Sequence, residues 1–166
     1  LDRNGDGSPD SWWNLDKTMP HILHRLVQDA DLPSLPATLD ATRAHGGRVS
    51  AQLHPVRKFV TSITSYYGSK GKDVEYPCSI GQYLYLPPAT RCTLTVYCLS
   101  DAANARVTLA AGGQRVECTS FTPGEWKPLS VTFETTAAND ACTAVITNPS
   151  PEATVWVDDI SLVRAP

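Results

Sequence analysis

Residues 92–98 read Cys92-Thr93-Leu94-Thr95-Val96-Tyr97-Cys98. Apolar side chains take every second position, with Thr93, Thr95 and Tyr97 between them. A repeat of two is that of a strand with one face in a core and the other turned away from it. A helix would instead repeat every 3.6 residues. The stretch is therefore read as a core strand with Leu94 and Val96 inward and Tyr97 outward.

The same repeat recurs on both sides. Arg106 to Ala110 continues it and stops at the turn Gly112-Gly113. Arg115 to Phe121 is the next strand, Pro123-Gly124 the next turn, and Trp126 to Thr135 the strand after that. Cys142 to Thr147 and Thr154 to Val163 close the series. Short strands at intervals of 8–12 residues, punctuated by Gly, Pro and Asn, predict an all-β sandwich or jelly roll of antiparallel sheets. The first half is less regular. Gly46 to Leu53 and Val60 to Tyr67 read as strands, and Gly68 to Asp73 as a turn. Asp29 to Pro36 reads as loop, and Met19 to Val27 fits either a short helix or a strand with a loop.

With 166 residues, the chain is long enough for one domain, taken as 1–166, with a sizeable core. The net charge of −3 points to neither a nucleic-acid nor an anionic-membrane partner. No apolar run approaches the ~20 residues of a membrane helix. No signal peptide is visible, and the chain opens inside a motif. It is therefore expected to be a domain cut from a longer extracellular, secreted protein.

The five cysteines, Cys78, Cys92, Cys98, Cys118 and Cys142, cannot all pair within one chain. Cys92 and Cys98 share a face but lie ~20 Å apart along a strand, too far to bridge. Cys98, Cys118 and Cys142 occupy apolar positions of three strands and are read as small buried hydrophobes, with one disulfide between neighbouring strands left open. Among the histidines, His21 and His24 have ligand-like spacing but lack a third ligand. His21, His24, His45 and His54 are read as surface or loop residues.

The chain opens with Asp2-x-Asn4-x-Asp6-Gly7-x-x-Asp10. Oxygen side chains on alternate residues around a glycine have the ligand spacing of a calcium loop. The twelfth loop position holds Trp13 instead of a bidentate Glu, so an EF-hand is not expected. The missing carboxylate is sought at the other end of the chain, in Asp158-Asp159. A structural Ca2+ shared by Asp2, Asn4, Asp6, Asp10, Asp158 and Asp159 would staple the termini together.

Three blocks resemble the jelly-roll carbohydrate-binding modules of the group containing families 4, 9, 16 and 22. They are Asp6-Gly7-Ser8-Pro9-Asp10-Ser11-Trp12, then Gln82 to Tyr97 with Pro87-Pro88 at its centre. The third is Pro123-Gly124-Glu125-Trp126 to Phe133 with the closing Val155-Trp-Val-Asp-Asp-Ile-Ser-Leu-Val163. The resemblance implies a final acidic pair near the first strand, where a structural calcium commonly lies. It also implies a non-catalytic module that holds a covalently linked catalytic domain to a polysaccharide or oligosaccharide.

Sugar rings present flat C–H faces that stack on aromatic rings, and their hydroxyls bond to amides. Family 16 modules use a Trp in the region of Trp126 together with glutamines, which points to Trp126, Gln82 and Gln114. Tyr97 joins them through its outward parity. Tyr83 and Tyr85 share a face, unless Gly81 marks a bulge and reverses it. No G-x-S-x-G, H-E-x-x-H or phosphate loop is present. Two other readings stand beside the main one: a small jelly-roll polysaccharide lyase or hydrolase, and a structural or adhesion domain without a sugar site.

Overall fold

The computed structural model describes residues 13–14, 37–62, 70–136 and 142–165. The Asp2–Asp10 loop, Trp12, the 19–36 segment with His21 and His24, and Tyr66 and Tyr67 lie outside the described residues. Every regular element among the described residues is a strand. In chain order they are β1 (Trp13–Asn14), β2 (Thr38–Asp40), β3 (Ser50–Leu53), β4 (Val56–Ser62), β5 (Lys70–Tyr76) and β6 (Cys78–Leu84). There follow β7 (Arg91–Ser100), β8 (Val107–Ala111), β9 (Gln114–Cys118), β10 (Lys127–Glu134), β11 (Cys142–Asn148) and β12 (Val155–Arg164).

Two five-stranded sheets form a sandwich, one in the order β1-β6-β11-β8-β9 and the other β10-β7-β12-β3-β2, with β4-β5 as a separate ribbon. Every pairing is antiparallel. From β6 onward the chain weaves between the sheets, returning to the same sheet only at the β8–β9 hairpin. This is the path of a jelly roll.

The alternation of β7 holds residue by residue. Leu94, Val96 and Cys98 are buried between the sheets, while Thr93, Thr95 and Tyr97 are half-buried on the outer face. Facing them across the core are Ile80, Val107, Leu109, Ala144 and Ile146 of the other sheet. The Gly112-Gly113 turn joins β8 to β9 with both residues at positive φ, 54° and 77°. A two-residue hairpin of the primed type needs that conformation, which glycine adopts without steric cost. Gly81 pairs in register with both Val145 and Trp13, so no bulge reverses the parity of Tyr83.

The first half departs from expectation in two places. Lys70 to Asp73, read as a turn, belongs to strand β5, because Ser62↔Lys70 through Val56↔Tyr76 pair without a break. Pairing with β4 overrides the low strand propensity of Gly71 and Asp73. Conversely, strand β3 begins only at Ser50. Residues 45 and 46 are held by side chains of β12 instead of by a ladder.

All five cysteines are free thiols, with Cys78, Cys92, Cys98 and Cys118 buried and Cys142 half-buried at the start of β11. Burial pushes the Cys78 and Cys98 thiols up to about 12, with nearby Cys118 adding to the effect on Cys98. Their neutral form favours the native state. That contribution is complete below the ordinary thiol value of 9.0 and is lost as pH rises toward about 12. Without denaturant, alkylation is expected to be slow at Cys98 and Cys118 and fastest at Cys142, with mass spectrometry reading each site. Fast labelling of Cys98 would show that β7 faces the other way.

Candidate functional site

The outer face of the β10-β7-β12-β3-β2 sheet gathers the side chains that can meet a ligand. Residues opposite one another in an antiparallel sheet share a face, so Pro128, Tyr97 and Asp158 form one row across β10, β7 and β12. The next row is Ser130, Thr95 and Ser161, and the next Thr132, Thr93 and Val163. Hydroxyls bond across the strands in both rows: Thr95 Oγ1 to Ser130 Oγ at 2.8 Å and Thr93 Oγ1 to Thr132 Oγ1 at 2.9 Å. The strip is polar, with Val163 largely exposed at one end.

The other end is aromatic. Segment 41–49, between β2 and β3, brings His45 over Tyr97. The rings stack with centroids 4.0 Å apart and planes 15° from parallel. Trp126, half-buried just before β10, meets His45 edge-on at 5.4 Å and 63°. The edge-on geometry is one that ring quadrupoles favour. Tyr97 and Trp126, 29 positions apart in the sequence, thus belong to one cluster through a histidine that the sequence did not single out.

A bulge in β12 explains how His45 is held. Asp158 pairs with Tyr97 and Ser161 with Thr95, so two residues of β12 oppose one of β7. Asp159 sits in the left-handed region with φ of 45°. In a regular strand consecutive side chains point to opposite faces, and the bulge removes that constraint. Both carboxylates therefore reach the same segment. Asp158 Oδ2 accepts the backbone N–H of His45 at 2.7 Å and of Gly46 at 3.1 Å. Asp159 Oδ2 lies 2.6 Å from His45 Nδ1. A Cβ on Gly46 would stand 2.6 Å from Asp159 Oδ2, so the close approach requires glycine.

The segment is fastened again at its start. The Trp156 indole N–H donates to Asp40 Oδ2 at 2.7 Å, and the Arg43 guanidinium lies over the Trp156 ring at 4.4 Å. The Thr42 hydroxyl above all, then the Thr42 N–H and the Trp156 indole, hold the Asp40 carboxyl below the usual carboxylate range. Trp156 itself is buried and serves as structure.

The remaining sequence candidates lie elsewhere. Gln82 is on β6 opposite the buried Ala144, and Gln114 opens β9 at an edge. Both belong to the sheet opposite Tyr97 and Trp126. Tyr83 pairs with Thr143 on that same sheet, and Tyr85, 84% exposed, stands just beyond β6. Of the six calcium candidates only Asp158 and Asp159 are described, and the partners they show belong to segment 45–46 or to each other. No group of three or more His, Cys, Asp or Glu able to hold a metal occurs among the described residues. What is described thus fits an ion only in part: two adjacent carboxylates, already engaged by the protein.

The jelly-roll sandwich is a fold that this chain shares with solved carbohydrate-binding modules. A structure described as family 16 carbohydrate-binding module 2 is 21% identical, with a TM-score of 0.50 over 77% of this chain and 85% of that one. A family 61 module solved with β-1,4-galactotriose is 12% identical, with a TM-score of 0.58 over 96% and 92% of the two chains. The family 22 and catalytic modules of Clostridium thermocellum endo-1,4-β-D-xylanase 10B, solved with xylohexaose, give 14% and 0.57 over 93% of this chain and 26% of that one. At these identities the likeness is one of fold. No family model matches the chain, and no curated protein does.

Proposed function

We propose that this chain is a non-catalytic carbohydrate-binding module, with its sugar site on the outer face of the β10-β7-β12 strands. The observation that carries the reading is the convergence of Trp126 and Tyr97 on one sheet face beside the Thr93/Thr95/Ser130/Thr132 hydroxyls. Trp126 supplies the stacking surface. Tyr97 has His45 on its face and acts with it as a wall that fixes the indole. The hydroxyl strip offers donors and acceptors to the sugar as it runs on from the ring. Such a module would hold a linked catalytic domain to a polysaccharide outside the cell, raising the catalyst's effective concentration there. The arrangement of the xylanase relative, in which a module of this fold is joined to a catalytic one, supports that role.

The structural Ca2+ forms part of the proposal on the strength of the Asp2-x-Asn4-x-Asp6 spacing. Asp158 and Asp159 would contribute carboxylates to it in addition to their bonds to segment 45–46.

Isothermal titration of soluble β-1,4-linked oligosaccharides into wild type and Trp126→Ala tests the site. Loss of the stacking ring is expected to cost roughly 1–3 kcal/mol, about a ten- to hundredfold weakening. Gln82→Ala and Gln114→Ala, on the opposite sheet, are expected to bind as wild type does. Unchanged affinity in a folded Trp126→Ala would remove this residue from the site. Release of reducing ends during incubation would replace the binding module with the lyase or hydrolase reading.

A further inference from the structure

We propose, resting on the carbohydrate-binding reading above, that His45 is a specificity-determining residue whose Nε2 accepts a hydrogen bond from a hydroxyl of the sugar stacked on Trp126. His45 Nδ1 lies 2.6 Å from Asp159 Oδ2. An ionised carboxylate can only accept, so the proton of the neutral imidazole belongs to Nδ1. Nε2 is then an acceptor with a free lone pair. Among the described residues none bonds to it, nor to the Tyr97 hydroxyl or the Trp126 indole N–H. Three supports fix the ring in this pose. Tyr97 lies parallel to it with centroids 4.0 Å apart, Trp126 stands edge-on at 5.4 Å, and Asp158 Oδ2 takes the His45 backbone N–H at 2.7 Å. The side chain is 33% exposed, so a ligand can reach it. Half-buried Tyr and Trp ordinarily find partners for their polar atoms. Three rings that pack on one another and leave their outer polar atoms unbonded supply the few placed polar groups that orient a ligand.

A nitrogen that carries no proton reads a donor. A free sugar hydroxyl donates, whereas a deoxy position, a methyl ether, an ester or fluorine at the same carbon does not. The neighbouring groups cannot make that selection. The Thr93, Thr95, Ser130, Thr132 and Tyr97 hydroxyls each donate or accept, and the Trp126 indole only donates. His45 therefore directs the site toward a glycan left unsubstituted at one hydroxyl of the stacked sugar, and against the same glycan etherified or acylated there.

The test titrates monodeoxy and monodeoxyfluoro derivatives of a β-1,4-linked trisaccharide, altered one hydroxyl at a time, into wild type, His45→Phe and Trp126→Ala. The solution is held at about pH 8, above the range in which an ordinary imidazole is charged. Melting curves check that both variants are folded. In wild type, one position is expected at which the deoxy and deoxyfluoro sugars both bind about two- to tenfold more weakly than the parent, the worth of one neutral hydrogen bond. Phe keeps an aromatic ring beside Tyr97 and has no nitrogen, so in His45→Phe that penalty should vanish while the other positions keep theirs. A deoxyfluoro sugar that binds like the parent at that position would mean that the protein donates there, and would overturn the proposal. Penalties that persist unchanged in His45→Phe would do the same. A second measurement uses wild type alone. Its imidazole nitrogen NMR spectrum should show an unprotonated His45 Nε2 whose resonance moves as the trisaccharide saturates the site, and a protonated or unmoved Nε2 would count against the proposal as decisively. Binding that needs Trp126 but shows no His45-dependent hydroxyl removes this inference alone. Absence of any glycan binding removes the carbohydrate-binding reading with it.

Discussion

Asn148→Ala is expected to be among the most destabilising single substitutions in this protein. Asn148 ends β11 and is fully buried. Its Nδ2 donates to the carbonyls of Leu53 at 3.0 Å and Ala153 at 2.9 Å, and its Oδ1 accepts the Ser150 N–H at 3.0 Å. One side chain thereby ties the end of β3, the end of β11 and the turn that launches β12. Alanine would strand three backbone groups. Each buried group left without a partner costs about 1–3 kcal/mol, and the Ser150 N–H is only part-buried, so the total loss should lie toward the low end of the sum, about 3–5 kcal/mol. For a chain of this size that lowers the melting temperature by on the order of 10 °C. Asn148→Asp keeps the acceptor but removes both donors and buries a carboxylate, so it should be no milder. Urea unfolding of the three proteins measures this. A loss below about 1 kcal/mol for Asn148→Ala would mean that water replaces the amide.

Asp158→Ala should act on stability and on the sugar site together. The carboxylate accepts two backbone N–H groups of segment 45–46, and hydrogen bonds to a charged acceptor are worth about 1.5–3 kcal/mol. Their loss frees His45 from Tyr97 and leaves the Trp126 indole without its edge-on partner. The readouts are a lower melting temperature, loss of the ring-current shift on the His45 protons, and weaker oligosaccharide binding despite an intact Trp126. Gly46→Ala should reproduce the effect from the other side, since its Cβ would meet the Asp159 carboxylate.

The same experiment bears on calcium. If Asp158 helps to hold an ion, a chelator should lower the wild-type melting temperature and added calcium restore it, while Asp158→Ala responds to neither. If chelator leaves wild type unchanged and the variant still melts lower, the acidic pair acts on segment 45–46 alone.

The strands themselves were legible in the sequence wherever one face is buried. Leu94, Val96 and Cys98 alternate with Thr93, Thr95 and Tyr97, and burial follows that parity without exception. Turn residues marked the hairpin at Gly112-Gly113 for a local reason, the positive φ of both positions. Periodicity does not report a strand whose place is set by pairing. Lys70 to Asp73 looks like a turn until β4 pairs with it.

The sequence by itself determined which residues alternate, and therefore that the chain is a β-sandwich with Tyr97 turned outward. Those are properties of a few consecutive residues and their hydration. Tertiary structure alone decided which sheet each strand joins, and so separated Gln82 and Gln114 from Trp126 and Tyr97. It also decided that a bulge at Asp159 would turn two adjacent carboxylates toward one segment, and that His45 would lie between the two aromatic rings. Sheet membership depends on contacts between residues dozens of positions apart. The alternation within a strand is the same in either sheet, so no local pattern can report it.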